Sequence, residues 1–313
     1  MNTVNSINNT KKDLSVTVAG VKFPNPVIAA SGTYGFGQDY TDLYPLNKLG
    51  GISCKGTTIL PKDGNPAPRI AETPAGMLNS VGLQNPGVDV FISEHLPKAK
   101  KEGNVIIANI AGATLDDYRA VAEKLEDTDV DMIELNISCP NVKQGGASWG
   151  ITCEGAATVT KTVRAVTKKP LMVKLTPNVT NIADIAKAAE SEGADCLSLI
   201  NTLLGMRIDI KTRRPILKNN VGGFSGPAVF PVAVRMVWQV ANAVGIDVVG
   251  LGGITTTEDV IEMMMAGARA VQIGTAIFTD PYAPLKVIDG LEKYMVENNL
   301  NSLNEIVGTV RPW

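Results

Sequence analysis

The sequence predicts an α/β fold, a single (β/α)8 TIM barrel with an N-terminal hairpin and extra loops or strands at its C-terminal face. Eight apolar, β-compatible segments recur along the 313 residues, and most are followed by apolar residues at three- and four-residue spacing. Hydrophobic residues make up 44% of the chain and aromatic residues only 5%, which is typical of an aliphatic α/β core. Barrels of this kind often reach such a length as one domain.

The elements follow from apolar periodicity and from turn residues. Ala19 and Gly20 predict the turn of a hairpin over residues 14–26, which we expect to plug one end of the barrel. Asn181 and Gly193 are the predicted N-cap and end of one helix. The predicted barrel strands are residues 26–30, 51–55, 105–110, 132–138, 171–175, 194–200, 247–251 and 270–273. The clearest predicted helices are residues 115–125, 182–192, 227–244 and 258–266.

Two stretches interrupt the regular alternation. Residues 56–104 contain a segment rich in Pro, Gly and Asn, and residues 207–226 have the pattern of a small hairpin pair. Both follow carboxyl ends of predicted strands, the face on which barrel enzymes carry their chemistry. No second domain is predicted: residues 1–13 form a polar tail and residues 14–313 one domain.

Composition excludes several classes of function. Lys and Arg total 29 against 31 Asp and Glu, so no basic surface for nucleic acid is expected. The polar amino terminus and the absence of an apolar run of about 20 residues argue against a signal peptide and a membrane span. Four cysteines without a C-x-x-C pair argue against a metal or a disulfide framework. We therefore expect a soluble, cytoplasmic protein, and catalysis by its single histidine, His95, is not expected.

The fourth predicted strand carries polar side chains on one face. Glu134, Asn136 and Ser138 alternate with apolar residues, and an unpaired polar group costs about 1–3 kcal/mol on burial. These side chains therefore need partners or a ligand. Cys139 follows, before Pro140 and a glycine-rich loop. The thiol is placed either to exchange protons with a bound molecule or to fill a gap in the core.

Polar or glycine residues stand at the carboxyl end of every predicted strand, which together outline a pocket for a polar ligand. They are Ser31, Gly32, Lys55, Gly56, Asn109, Asn136, Cys139, Lys174, Asn201, Thr202, Gly252, Gly253, Gly274 and Thr275. The glycines of the last two strands, with Gly226 before Pro227 at a helix start, would let backbone N–H groups approach a phosphate. No dinucleotide fingerprint and no P-loop occurs.

Lys174 lies within an apolar strand, where a lysine is costly unless it meets an anion. It could form a Schiff base, as in an aldolase. It could instead remain charged beside a cofactor that becomes anionic, such as a reduced flavin. In a third interpretation, its head reaches solvent.

Ten motifs are similar to those of the dihydroorotate dehydrogenase family, in particular its class 1B catalytic subunits. They are SGTYGFG (31–37), ISCKGTT (52–58), NSVGLQNPG (79–87), IIANIAG (106–112), ELNISCPNVKQGG (134–146), VKLTPNVT (173–180), INTLLGMRIDIKTRRP (200–215), GGFSGPA (222–228), GLGGI (250–254) and VQIGTA (271–276). The resemblance extends from about residue 14 to the end. It implies an FMN-binding barrel that oxidises dihydroorotate to orotate in pyrimidine synthesis.

The resemblance also implies roles for individual residues. Cys139 matches the base that removes the C5 proton while the C6 hydride passes to flavin N5. The positions that match substrate contacts are Lys55, Asn79, Ser80, Val81, Gly82, Leu83, Asn136, Asn201 and Thr202. The positions that match FMN contacts are Ser31, Lys55, Gly56, Asn109, Asn136, Lys174, Ile200, Gly226, Gly252, Gly253, Gly274 and Thr275. Trp149 departs from the pattern, since a phenylalanine is usual there.

Class 1B resemblance further implies a second subunit that carries FAD and a [2Fe–2S] cluster and passes electrons to NAD. The expected assembly is a homodimeric core flanked by two such subunits, a heterotetramer. Three alternatives remain open: an FMN barrel acting on another dihydropyrimidine, a sugar-phosphate aldolase that uses Lys174, and a flavin-binding regulator without catalysis. Class 1A enzymes, which reduce fumarate, are the related alternative for the electron acceptor.

Overall fold

Sixteen strands are present in the computed structural model, which describes residues 12–137 and 149–313. Predictions that concern residues 1–11 and 138–148, including those for Ser138, Cys139 and Pro140, lie outside the described residues. The strands are β1 (Val16–Val18), β2 (Val21–Phe23), β3 (Val27–Ala29), β4 (Gly51–Ser53), β5 (Ile70–Thr73), β6 (Gly76–Asn79), β7 (Val105–Ile110), β8 (Met132–Asn136), β9 (Leu171–Lys174), β10 (Cys196–Leu199), β11 (Leu203–Gly205), β12 (Ile208–Asp209), β13 (Arg214–Pro215), β14 (Gly222–Ser225), β15 (Asp247–Leu251) and β16 (Ala270–Ile273).

Eight of these strands close into a parallel barrel. In chain order they are β3, β4, β7, β8, β9, β10, β15 and β16, and β16 pairs with β3 to complete the ring. Each predicted barrel strand corresponds to one of them, so the predicted (β/α)8 barrel is confirmed. The strands are shorter than predicted in several cases: the second ends at Ser53 and the fourth at Asn136. Beyond the second strand, Lys55 and Gly56 line the cavity at the rim of the barrel.

Helices connect most of these strands and cover the outside of the barrel. They are α1 (Val88–Val90), α2 (Leu96–Lys101), α3 (Leu115–Glu126), α4 (Cys153–Arg164), α5 (Ile182–Ser191), α6 (Phe230–Ala241), α7 (Thr257–Met265), α8 (Ala276–Thr279) and α9 (Ala283–Glu297). The predicted cap at Asn181 is confirmed, because its side chain accepts a hydrogen bond from the Ala183 N–H at 3.1 Å. The helix predicted over 227–244 instead begins as a 3-10 turn, Pro227–Val229, before α6.

The hairpin of β1 and β2 closes the amino end of the barrel. Its turn lies at Ala19 and Gly20, as predicted. Val16, Val18 and Phe23 are buried in one cluster with the first residues of three barrel strands, among them Met132. This apolar cluster packs the hairpin against the amino ends of the barrel strands.

The two interruptions join into one antiparallel sheet above the carboxyl ends of the barrel strands. The order of this sheet is β11-β14-β6-β5, so that β6 from the first insertion pairs with β14 from the second. Residues 207–226 therefore do not form a separate hairpin pair as predicted. Only β12 and β13 form a hairpin there, while β14 pairs with strands outside that stretch.

No helix within residues 12–137 and 149–313 combines the length and the apolar character needed to cross a membrane.

Candidate active site

A cavity of about 250 Å³ opens at the carboxyl ends of the barrel strands, beneath the four-stranded sheet. It is lined by residues predicted to contact a ligand from all eight barrel strands or the loops after them. These are Ser31, Lys55, Gly56, Asn79, Val81, Gly82, Leu83, Asn109, Asn136, Lys174, Ile200, Asn201, Thr202, Gly226, Gly252, Gly253, Gly274 and Thr275. Ser80 lies behind this lining with a fully buried side chain, because side chains alternate along the extended chain between Asn79 and Val81.

A buried carboxylate lies below the floor of the cavity. Glu134 of β8 is fully buried and accepts four hydrogen bonds from side chains on other barrel strands. Ser53 Oγ and Asn109 Nδ2 donate to its Oε2, both at 2.6 Å, and Ser198 Oγ and Gln272 Nε2 donate to its Oε1 at 2.8 and 2.7 Å. On the polar face predicted for this strand, Glu134 is therefore hydrogen-bonded by protein side chains.

Lys174 of β9 lies beside this carboxylate. Its Nζ is 3.9 Å from Glu134 Oε2, and its side chain is 6% exposed. The interpretation in which the Lys174 head reaches solvent is therefore wrong. Burial by itself raises the pKa of Glu134, but the Lys174 charge and the donors Ser53, Asn109 and Ser198 outweigh it, so the pKa is lowered.

The lowered pKa of Glu134 makes the stability of the fold depend on pH in acid. A carboxyl whose pKa is lower in the folded than in the unfolded state stabilises the fold above the ordinary value of 4.5 and loses that contribution as the pH falls through the folded value. As the pH is lowered below 4.5, we expect the urea concentration at the unfolding midpoint to decrease more steeply for the wild type than for Glu134→Gln. Urea unfolding of both proteins across this range measures the difference, and parallel curves would contradict the assignment.

Three asparagines form a directed row across the cavity. Asn109 uses its Nδ2 toward Glu134, so its Oδ1 faces the next residue and accepts from Asn136 Nδ2 at 3.5 Å. Asn136 Oδ1 in turn accepts from Asn201 Nδ2 at 3.4 Å, and Asn201 Oδ1 accepts from the Thr202 N–H at 2.8 Å. Because a carboxylate only accepts hydrogen bonds, Glu134 sets the direction of the whole row.

On the opposite side of the cavity, glycines form a cradle against a helix start. Gly226, Gly252 and Gly253 have φ values of 109°, 121° and 80°, which favour glycine. A Cβ on Gly253 would lie 2.7 Å from the backbone nitrogen of Phe230, the first residue of α6. The chain after β15 therefore packs against the start of α6 more closely than a side chain would allow, and this end of the cavity lies beside a helix N-terminus, where an anion is favoured.

Replacing Gly253 with alanine should weaken the binding of an anion in the cradle by about 10–100-fold. A hydrogen bond from a backbone N–H to a charged group is worth about 1.5–3 kcal/mol, and the added Cβ would displace Phe230. Gly103→Ala is the matched control, since its φ of 78° is nearly the same but nothing lies within 4 Å of an added Cβ. The control should lose about 1–2 kcal/mol of stability from backbone strain and no affinity. If Gly253→Ala and the wild type bound FMN with equal affinity in a titration, the role of the cradle would be contradicted.

The structure adds residues that the sequence did not indicate. Ser225 and Gln272 also line the cavity. Ser225 Oγ accepts a hydrogen bond from Thr275 Oγ1 at 2.8 Å, which links the upper sheet to the loop after β16. Gln272 lies in the middle of an apolar strand. A polar residue within an apolar strand is the signal that identified Lys174, and it could have identified Gln272 as well.

Three cysteines fall within the described part of the chain, and none of them lines the cavity. Burial raises the pKa of Cys54 to about 12 and raises that of Cys196, so neither is a thiolate at neutral pH. Cys153 is exposed on α4. Cys139 lies outside the described residues, and its role as a base stays a prediction.

His95 lies away from the cavity, in a π-helical turn (Phe91–His95), where its ring stacks on Phe36 at 4.1 Å between centroids. Within residues 12–137 and 149–313, no group of three His, Cys, Asp or Glu side chains could hold a metal ion. The polar groups around the cavity are two lysines, Lys55 and the buried Lys174, together with amides, hydroxyls and a glycine cradle.

Fold and site together define a (β/α)8-barrel enzyme with a cavity at the carboxyl ends of its strands that combines a glycine cradle, a buried cation and a row of amides. A family model described as dihydroorotate dehydrogenase matches residues 13–295. The chain belongs to the dihydroorotate dehydrogenase family, and the resemblance inferred from its motifs is confirmed.

Curated relatives support the same family over nearly the whole chain. The chain is 54% identical over 299 residues to a protein of Alkaliphilus oremlandii named "Dihydroorotate dehydrogenase B (NAD(+)), catalytic subunit", covering 96% of this chain and 99% of that protein. A protein of the same name from Bacteroides thetaiotaomicron is 52% identical, with 95% and 99% covered. The crystal structure of the Eimeria tenella dihydroorotate dehydrogenase in complex with ferulenol is similar in fold, with a TM-score of 0.80 at 22% identity and 97% and 90% covered.

Proposed function

We propose that the chain is the FMN-containing catalytic subunit of a class 1B enzyme that oxidises (S)-dihydroorotate to orotate in the synthesis of UMP. The observation that carries this proposal is the convergence of the glycine cradle, Lys174 and the asparagine row on one cavity. An aldolase does not need that row of amides, and a binding protein does not need a buried lysine beside it.

The residues present fit FMN. The cradle of Gly226, Gly252 and Gly253 would hold the phosphate, because the three glycines line the cavity and, having no side chain, would let backbone N–H groups approach an anion near the start of α6. Lys174, on the floor, would hold the electron-rich edge of the ring system, and Ile200 and Leu251 would supply apolar contacts. When bound, FMN would supply the acceptor for the hydride from C6 of the substrate.

Lys55 and the asparagine row fit a substrate that combines a carboxylate with ring amides. A Cβ added at Gly32 would lie 3.8 Å from Lys55 Nζ, which positions the ammonium at the rim beside the loop after β3. Asparagine side chains both donate and accept hydrogen bonds, as ring N–H and C=O groups require. Lys55 would bind the carboxylate, and Asn136 and Asn201 would orient the ring.

Cys139 is the proposed base. It follows Asn136 by three residues in the sequence, and the Asn136 side chain lines the cavity. As a thiolate it would accept the C5 proton of dihydroorotate, and the row of asparagines would keep C5 oriented toward it. Neither Cys54 nor Cys196 could replace it, because burial raises the pKa of both thiols.

The decisive experiment is the absorption spectrum of the purified protein. Bound FMN should give a flavin spectrum that is bleached when dihydroorotate is added without oxygen. A colourless protein whose Lys174 is trapped by borohydride with a carbonyl substrate would support an aldolase instead. If dihydroorotate left the flavin oxidised and another dihydropyrimidine bleached it, the substrate would be that dihydropyrimidine instead.

We further propose that electrons pass to a second subunit with FAD and a [2Fe–2S] cluster, and then to NAD, within a heterotetramer built on a homodimer. The chain has no dinucleotide fingerprint and no C-x-x-C pair of its own. Purified alone, it should oxidise dihydroorotate with an artificial acceptor such as a quinone or dye, with negligible reduction of NAD. Rapid NAD reduction by the isolated chain would refute the need for a partner, and efficient fumarate reduction would indicate class 1A.

A further inference from the structure

We propose that Glu134 is a positioning residue of the site, which acts from below the cavity by holding Asn109 in one orientation and by opposing the charge of Lys174. The proposal rests on the proposed function, since its effects are read out on bound FMN. Glu134 itself does not line the cavity, so it acts only through its neighbours.

The first part of the proposal concerns orientation. Oε2 of Glu134 accepts from Asn109 Nδ2 at 2.6 Å, and the reversed amide would bring two oxygens together. The Asn109 amide is therefore fixed, and it presents its Oδ1 to Asn136. A Cβ on Gly56 would lie 2.9 Å from the same Oδ1, so the surrounding chain leaves the amide little room to rotate.

The second part concerns charge. Glu134 Oε2 lies 3.9 Å from Lys174 Nζ, and both side chains are buried, so their charges interact across a medium that screens them weakly. A carboxylate at this distance offsets part of the positive potential that Lys174 contributes to the cavity floor. Without it, negative charge in the cavity would be favoured more strongly than in the wild type.

Glu134→Gln separates these two parts. The new amide can keep its oxygen toward Asn109 and Ser53 and turn its NH2 toward Ser198 and Gln272. Within the described part of the chain, the Oε1 atom of Gln272 is buried without a hydrogen-bond partner, so this amide can turn over and accept. The substitution thus removes the charge and preserves the shape and the direction of the asparagine row.

The experiment measures the midpoint potential of bound FMN in the wild type, in Glu134→Gln and in the control Ser198→Ala. Ser198 pairs with Lys174 across β10 and β9, but it donates to Oε1 of Glu134, whereas Lys174 lies next to Oε2, and it does not line the cavity. The potential of Glu134→Gln should shift to more positive values, with FMN still bound and the Km for dihydroorotate within about threefold of the wild type. That of Ser198→Ala should not shift.

A purely structural role for Glu134 predicts a different result, namely weaker binding of FMN in both variants with no positive shift. An unchanged or more negative potential in Glu134→Gln would overturn the proposal. If Glu134→Gln does not fold, the pair of variants Lys174→Met and Glu134→Gln/Lys174→Met provides the test, because the double variant should have the more positive potential of the two. Absence of FMN from the wild-type protein would refute the proposed function, whereas FMN present without the shift refutes only this inference.

Discussion

Replacing Cys139 with alanine should slow the reduction of bound FMN by dihydroorotate by about 10²–10⁴-fold, the usual contribution of a positioned base. FMN should remain bound, because the cradle and Lys174 are unaltered. In the wild type, the rate of reduction should increase with pH as the thiol ionises and reach a plateau above its pKa, since only the thiolate accepts a proton. Stopped-flow absorbance without oxygen measures both effects.

Two further variants make the Cys139 experiment specific. Cys153→Ala removes an exposed thiol on α4 and should leave the rate unchanged. Cys139→Ser should retain part of the rate and require a higher pH, because a hydroxyl ionises less readily than a thiol. A normal rate of FMN reduction in Cys139→Ala would show that another group removes the proton.

Replacing Lys174 with methionine should lower the midpoint potential of bound FMN and weaken FMN binding by about 10–100-fold, the value of a hydrogen bond to a charged group. It should also destabilise the fold by about 3–5 kcal/mol, because Glu134 keeps its hydrogen bonds but is left as a buried charge without a counter-ion. Protonation of Glu134 relieves this cost, so the loss of stability relative to the wild type should be smaller at low pH.

The matched control for Lys174 is Lys187→Met, which removes an exposed lysine from α5. This variant should keep the potential, the affinity for FMN and the stability of the wild type. Potentiometric titration and urea unfolding measure the three quantities. If Lys174→Met kept the wild-type potential, Lys174 would not act on the cofactor electrostatically.

The fold was predictable because the information that specifies it is local. Each barrel strand is a short apolar run, and Asn181 accepts a hydrogen bond from the N–H of Ala183, two residues later, so neighbouring residues determine both. The cradle was predictable for the same reason, since Gly252 and Gly253 directly follow β15. The roles of residues such as Asn201 came from the resemblance of ten motifs to a known family, because periodicity alone could not assign them.

The features that were not predictable depend on residues far apart in the chain. The pairing of β6 with β14 is encoded in two glycine-rich segments, neither of which has a strong strand pattern of its own. Likewise, periodicity placed Glu134 on the polar face of its strand but could not distinguish it from Asn136, which lines the cavity. That distinction arises from Ser53, Ser198 and Gln272, which come from three other strands.

The four-stranded sheet above the cavity has a consequence for the order of folding. Asn79 pairs with Gly223, and the chain between them contains β7 to β10 of the barrel. Strands so distant in sequence pair late in folding. Closing the long intervening chain costs conformational entropy, and contacts within that chain must form first to offset it. The cavity is therefore complete only in the native state, and a ligand that needs both its floor and its sheet binds no partly folded chain. Its whole binding free energy then adds to the equilibrium stability of the native protein.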